Sequence, residues 1–273
     1  MILDGKKLRD KILDKLTTKL SKSVVRPTLA VILAGDNPAS RIYVNNKKKT
    51  AEKIGINSVV IEYPATVSEE EIITKINDLN KDNTVTAILV QLPLPEHISK
   101  ENVINSISPE KDVDGLTLYN AGKVFSGEKP HVYPCTPKGI IALLDEYNIE
   151  IEGKRAVVVG RSNLVGKPVS QMLLDRHATV TICHSRTKNL GEITKTADIL
   201  VSAVGKRIIF KDMVKEGAVV VDVGISRTED GKIAGDVDFE EVSKIASYIT
   251  PVPGGVGPMT IASLMSNTVE LMK

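Results

Sequence analysis

Apolar positions in the first third of the chain switch between two periods. Leu3, Leu8, Ile12, Leu16 and Leu20 recur at helical spacing and predict an amphipathic helix over 3–20. Thr28 to Leu33 is a short β-rich run closed by Gly35. Asn37 is a helix cap with Pro38 at the first helical position, and this helix reads to Ile54 and stops at Gly55. Asn57 to Tyr63 reads as a second strand. Ser68 opens a helix through Leu79, with Glu69, Glu70 and Glu71 in the first turn, where the helix dipole favours acids. Thr86 to Gln91 reads as a third strand ended by Pro93 and Pro95, and 99–107 as a helix. Strands alternating with helices predict a small parallel sheet covered by helices.

After a charged, glycine-containing loop, Lys111 to Leu116, the alternation resumes. Lys138 to Tyr147 predicts a connecting helix. A second α/β unit follows: strand 155–159, helix 166–175, strand 179–183, helix 189–196, and strands 199–204 and 218–223. Asp230-Gly231 reads as a hairpin turn between Ile225 and Ile233. Phe239 to Ala246 reads as a helix and Pro251 to Pro258 as a stiff loop. A terminal helix is predicted from Thr260 to Met272.

Composition narrows the class. The chain has 273 residues, 42% hydrophobic and 26% charged, enough for two modest domains or one large one. A net charge of +2 with mixed signs, no Trp and three Phe gives neither a basic stripe nor stacking platforms, so no nucleic-acid partner is expected. Cys135 and Cys183 have neither metal spacing nor a disulfide framework, which fits a reducing compartment. Charges at Asp4, Lys6, Lys7, Arg9 and Asp10 break any leader-like apolar run, and no apolar run is long enough to span a membrane. A cytoplasmic protein without a membrane partner is expected.

Five stretches carry candidate chemistry. In AVVVGRSNLVG, Ala156 to Gly166, a strand ends at Gly160 and a helix begins at Gly166. Such a turn presents free N–H groups and a helix dipole to an anion, as a dinucleotide pyrophosphate requires. Ser162 replaces the usual middle glycine, so the turn is either this site or an ordinary strand-to-helix connection. The following strand ends in His184-Ser185-Arg186, without the acid that binds a ribose 2′-hydroxyl. If a dinucleotide binds, Arg161, Ser185 and Arg186 favour a 2′-phosphate; otherwise these are surface residues. Tyr43 and Lys47 share a helix face one turn apart, as a binding and proton-transfer pair or as part of a solvated lysine run. Gln91 closes a strand at its carboxyl end, where open α/β sheets bind ligands, or simply leaves the sheet. Asp112 and Asp114 beside Gly115 are hydrogen-bond acceptors, metal ligands or turn residues; the pair is too short for a calcium loop. His97, His131, His177 and His184 form no motif.

Taken together, ASRIYVNNKKK (Ala39 to Lys49), ILVQLPLP (Ile88 to Pro95), PEKDVDGL (Pro109 to Leu116), PCTPKGI (Pro134 to Ile140), VVVGRSNLVGKP (Val157 to Pro168) and ITPVPGGVGPMT (Ile249 to Thr260) resemble the bifunctional methylenetetrahydrofolate dehydrogenase/cyclohydrolase family. They occur in that family's order and spacing over nearly the whole chain. The resemblance implies two αβα domains with a cleft between them: a folate-binding catalytic domain of 1–137 plus 257–273, and a Rossmann-like NADP-binding domain of 138–256. It implies a homodimer joined through the nucleotide domains. It casts Lys47, Tyr43 and Gln91 as catalytic and substrate-binding, and Asp114, Pro253, Gly254 and Gly255 as further substrate contacts. Gly160, Arg161, Ser162, Gly166, Ser185, Arg186 and Ile225 become the NADP contacts, with no metal. The implied reactions are oxidation of 5,10-methylenetetrahydrofolate and hydrolysis of the methenyl product to 10-formyltetrahydrofolate. The same positions argue against a dehydrogenase-only NAD enzyme, a non-catalytic binding protein and a shikimate-type dehydrogenase.

Overall fold

The protein is described by a computed structural model covering 1–227, 231 and 233–272. It divides into two compact units, Lys11–Cys135 with Ile261–Lys273, and Met1–Asp10 with Thr136–Thr260. The division falls inside the first helix, α1 (Gly5–Ser21), and the last.

In the first unit, β1 (Thr28–Ala34), α2 (Pro38–Ile54), β2 (Asn57–Tyr63), α3 (Glu69–Lys81), β3 (Ala87–Val90), α4 (Lys100–Asn105) and α5 (Leu118–Phe125) follow in order. The strands form a parallel sheet in the order β2-β1-β3. Strand β1 lies in the middle and is apolar on both faces, as a covered parallel strand must be. Leu29, Val31 and Leu33 point into one core with Val44, Leu264 and Met265; Ala30, Ile32 and Ala34 point into another with Ile72 and Ile76. The caps are those that the sequence encodes. Asn37 accepts from the Ala39 and Ser40 amides. Ser68 and Glu71 form a reciprocal capping box.

In the second unit, α6 (Cys135–Glu146), which begins one residue before the division, leads into β4 (Arg155–Val159), α7 (Gly166–Leu174), β5 (Thr179–Cys183), α8 (Leu190–Thr194), β6 (Ile199–Ser202) and β7 (Val219–Asp222). The hairpin β8 (Ser226–Arg227) and β9 (Ile233–Ala234), then α9 (Phe239–Val242), β10 (Tyr248–Ile249) and α10 (Val256–Glu270) complete the chain. The parallel sheet runs β10-β7-β6-β4-β5. After β5 the chain returns to the other side of β4, so the order reverses at the carboxyl end of β4, where Rossmann-like sheets bind ligands.

The structure departs from the sequence reading in several places. Helix α5 was not expected: 118–125 shows an exposed face with Leu118 and Phe125 in water, which blurs its period. Helix α6 starts at Cys135, not Lys138, and α10 at Val256, not Thr260. Both early starts place a proline in the first helical turn, where its missing N–H costs nothing. Strand β10 is only two residues long. Residues 1–10 group with the second unit because the first residues extend its sheet edge: the Leu3 amide donates to the Ile249 carbonyl (2.9 Å) and the Ile249 amide to the Met1 carbonyl (3.0 Å). The expected 225–233 hairpin is present as β8 and β9, antiparallel; Asp230 of its turn lies outside the described residues.

Candidate active site

Helix α2 and the carboxyl edge of the first sheet bring three of the singled-out residues together. Lys47, on the third turn of α2, donates from Nζ to Gln91 Oε1 at 2.9 Å. Gln91 directly follows β3, and its Nε2 donates to the Leu92 carbonyl at 2.7 Å, which fixes the amide so that its oxygen faces the ammonium. Residues 111–113 run beside β3: the Ile88 amide donates to the Lys111 carbonyl at 2.7 Å, and Ile88 and Asp112 form a parallel bridge. Asp114 therefore emerges at the carboxyl end of β3, within electrostatic reach of Lys47. Burial pushes its carboxyl above the ordinary aspartate range, opposed by the Lys47 ammonium and a hydrogen bond from the Cys135 thiol. Tyr43 stands on the Lys47 face of α2 with its side chain exposed, as a free ring surface would be.

The two aspartates of the loop have separated tasks. Asp112 is buried, and its Oδ2 accepts from the Thr117 amide (2.8 Å) and from Asn120 Nδ2 (3.0 Å), so it builds the loop and starts α5. That leaves Asp114 for a ligand. Among the described residues no cluster of three or more His, Cys, Asp or Glu could hold a metal ion. Lys48 turns from the pair toward Glu52, 4.0 Å away.

The second unit carries the other set. Gly160 ends β4 at φ +127°, and a Cβ there would lie 2.6 Å from the Ala203 carbonyl oxygen. A Cβ on Gly166 would lie 2.2 Å from the Gly160 carbonyl oxygen, so only glycine lets α7 begin this close to the strand. Ser162 takes the place of the missing middle glycine. Its Oγ accepts from the Val165 amide at 3.2 Å and shapes the turn before α7. Arg161, Ser185 and Arg186 are exposed around this turn and the end of β5, and Ile225 is exposed after β7. Pro253 is exposed, whereas Gly254 and Gly255 are buried; the Gly254 carbonyl accepts from the Lys6 amide at 3.1 Å and the Gly255 amide donates to the Pro251 carbonyl at 2.8 Å. A narrow glycine turn, a helix of nine residues starting at Gly166 and a β5 terminus without a carboxylate fit a dinucleotide with a 2′-phosphate.

Sequence reasoning missed Cys135 and Asn267. Cys135 meets Asp114, and Asn267, buried on α10, donates to the Val113 and Tyr133 carbonyls, both at 2.9 Å. A buried asparagine inside an apolar helix, in the run SLMSNTV, was the available signal.

Comparison with known proteins gives the family. Residues 3–114 match the catalytic domain of tetrahydrofolate dehydrogenase/cyclohydrolase, and 134–273 match its NAD(P)-binding domain. The chain is 58% identical over 277 residues to the bifunctional protein FolD of Halalkalibacterium halodurans, covering 100% of this chain and 99% of that one. It is similar to the crystal structure of the bifunctional FolD of Campylobacter jejuni, with TM-score 0.97 and 51% identity over 99% and 98% of the two chains. The Trypanosoma brucei enzyme, solved with NADP and an inhibitor, superposes with TM-score 0.95 at 36% identity over 99% of this chain and 96% of that one. With both halves matched and these relatives aligned end to end, the chain belongs to the tetrahydrofolate dehydrogenase/cyclohydrolase family.

Proposed function

We propose that in this chain Lys47, held by Gln91, carries the proton transfer of the family's hydrolytic step, while Asp114 holds the pterin. The chain is a bifunctional enzyme. It oxidises 5,10-methylenetetrahydrofolate with NADP and hydrolyses the 5,10-methenyl product to 10-formyltetrahydrofolate. The observation that carries the residue roles is the 2.9 Å hydrogen bond from Lys47 to Gln91 beside Asp114.

In the first reaction a hydride leaves the bridging methylene and is accepted by bound NADP. No proton need move, so the protein's task is to position two rings. Arg161, Ser185 and Arg186 would take the 2′-phosphate, and Gly160, Ser162 and Gly166 the pyrophosphate, with Ile225 against the cofactor. Asp114 would accept from the pterin amino and ring N–H groups, a matched set for one carboxylate. Pro253, Gly254 and Gly255 are further proposed substrate contacts.

The second reaction adds water to the methenyl carbon and opens the ring, releasing one proton overall. Lys47 is the group placed to serve it, as base toward water or as acid toward the ring nitrogen that leaves. Gln91 holds the amine without adding charge, and Tyr43 stacks on the folate or keeps Lys47 aligned. The folate-binding role falls to the Lys11–Cys135 unit with Ile261–Lys273, and cofactor binding to the other. A homodimer joined through the nucleotide units is supported by β5, an edge strand that exposes Ile182, and by exposed Leu174 on α7. A cytoplasmic location is supported by the two cysteines, Cys135 and Cys183, both buried as thiols. Among the described residues no helix is long and apolar enough to cross a membrane.

The test is one cuvette with purified protein, 5,10-methylenetetrahydrofolate and NADP, following reduced cofactor and methenyl-folate together. Reduced cofactor forming while methenyl-folate stays low is expected. Methenyl-folate decaying only at its uncatalysed rate would remove the role given to Lys47.

A further inference from the structure

Asn267 is fully buried on α10, in the same core as Leu264, Met265 and Val269. An amide in such surroundings costs stability unless its hydrogens are bonded. Its Nδ2 donates to the Val113 carbonyl (2.9 Å), to the Tyr133 carbonyl (2.9 Å) and to Cys135 Sγ (3.4 Å). The acceptors belong to two separate stretches, 111–114 along β3 and 133–135 leading into α6. The Cys135 thiol in turn reaches the Val113 carbonyl at 3.5 Å and the Asp114 carboxyl. Asn267 thus fixes the backbone one residue before Asp114 and also the thiol that touches its carboxylate. From the neighbouring elements, Asp114 is faced by two charged side chains, Lys47 and Asp112.

We propose that Asn267 is a positioning residue for substrate recognition: through Val113 and Cys135 it sets where the Asp114 carboxylate stands to receive the pterin. The proposal rests on the reading of Asp114 as the pterin acceptor. A carboxylate that must meet several N–H groups in one plane tolerates little displacement, because binding strength here follows geometry. Loss of the Asn267 donors leaves the Val113 and Tyr133 carbonyls without them and lets Asp114 drift from the substrate.

Asn267→Leu keeps the volume and removes the donors. Its folate KM should rise about tenfold while the NADP KM stays within about twofold. The acid limb of kcat/KM for folate should move to higher pH, because the Cys135 thiol that favours the charged form of Asp114 is no longer held by Asn267. Cys135→Ala should give the same shift, and the double variant should be no worse than the poorer single one, as expected for two groups acting through one contact. Asn267→Ser, which keeps one donor, should recover part of the loss. An unchanged folate KM in Asn267→Leu, an equal rise in both KM values, or effects that multiply with Cys135→Ala would overturn the proposal. If Asn267→Leu fails to fold by circular dichroism, Asn267→Ser and Cys135→Ala make the same comparison. Asp114→Asn separates the two readings. A folate KM unchanged in Asp114→Asn overturns the role of Asp114 and the proposal with it; a raised one beside an unaffected Asn267→Leu overturns the Asn267 link alone.

Discussion

Lys47 has a task that Gln91 cannot take over. An amide can orient and accept, but it does not exchange a proton near neutral pH, whereas an amine can. Hydride transfer needs neither. Lys47→Met keeps the length of the stem and removes the nitrogen that donates to Gln91. It should lower cyclohydrolase turnover by at least about a hundredfold, within the range of general acid–base catalysis, and leave measurable NADP reduction. Separate assays of the two half-reactions check this, and equal loss of both would end the division of labour. At this scale the sequence was informative where position carries meaning: Tyr43 and Lys47 could be singled out from helical spacing and Gln91 from its place at a strand end, each with a bland alternative beside it. It was uninformative for Asn267, whose partners lie more than a hundred residues away along the chain, and for Cys135, whose partner Val113 lies 22 residues away in another loop, so no local pattern connects them.

Elements followed from the sequence where both ends carry a chemical signal. Asn37 and Gly55 bracket α2, and Ser68 with Glu71 opens α3. Elements were lost where apolar residues also face water, as Leu118 and Phe125 do in α5, or where they are too short to show a period, as in β10. The glycine turn was visible as a motif, but not the device next to it. Asp222, at the end of β7, is buried and accepts from the Gly224, Asp236 and Val237 amides, all at 2.9 Å. Asp236 accepts from Ser202 Oγ (2.9 Å) and from the Val204 (2.7 Å) and Lys206 (2.8 Å) amides. The two carboxylates strap together the segments that follow β6 and β7. Desolvation outweighs the three amides and pushes the Asp222 carboxyl up to about 6. A carboxyl with its pKa raised on folding binds a proton more tightly in the folded state. Its contribution to stability is complete below the unfolded value, about 4, and is lost as pH rises through about 6. Asp222→Asn removes that dependence. Between pH 4.5 and 7 the stability of the wild type relative to Asp222→Asn should fall by about 2 kcal/mol. Denaturant titration followed by circular dichroism measures it, since the chain has no Trp to report. Parallel pH curves for the two proteins would mean that Asp222 has the same pKa folded and unfolded.

At the scale of the whole molecule, the alternation of strands and helices announced two α/β units, and the motif order announced their family. What the sequence did not disclose is that the first residues serve the second unit, because the signal is a backbone hydrogen-bond ladder between Leu3, Met1 and Ile249, to which side chains contribute nothing. Each unit has its own buried cluster, one around Val31 and Leu89, the other around Val157 and Val220. A ligand that binds one folded unit and not its unfolded chain stabilises that unit by mass action, by about 2.7 kcal/mol at a hundredfold excess over Kd. NADP should therefore raise the transition of the unit with Thr136–Thr260, and a folate analogue that of Lys11–Cys135 with Ile261–Lys273. Differential scanning calorimetry with each ligand in turn distinguishes the cases. Separate shifts of separate transitions mean that the two cores unfold independently; one transition raised by either ligand means that the helices shared across the division, α1 and α10, couple them into a single cooperative structure. NADP failing to raise any transition would contradict the assignment of Gly160, Ser162 and Gly166 to the cofactor, whatever the cooperativity.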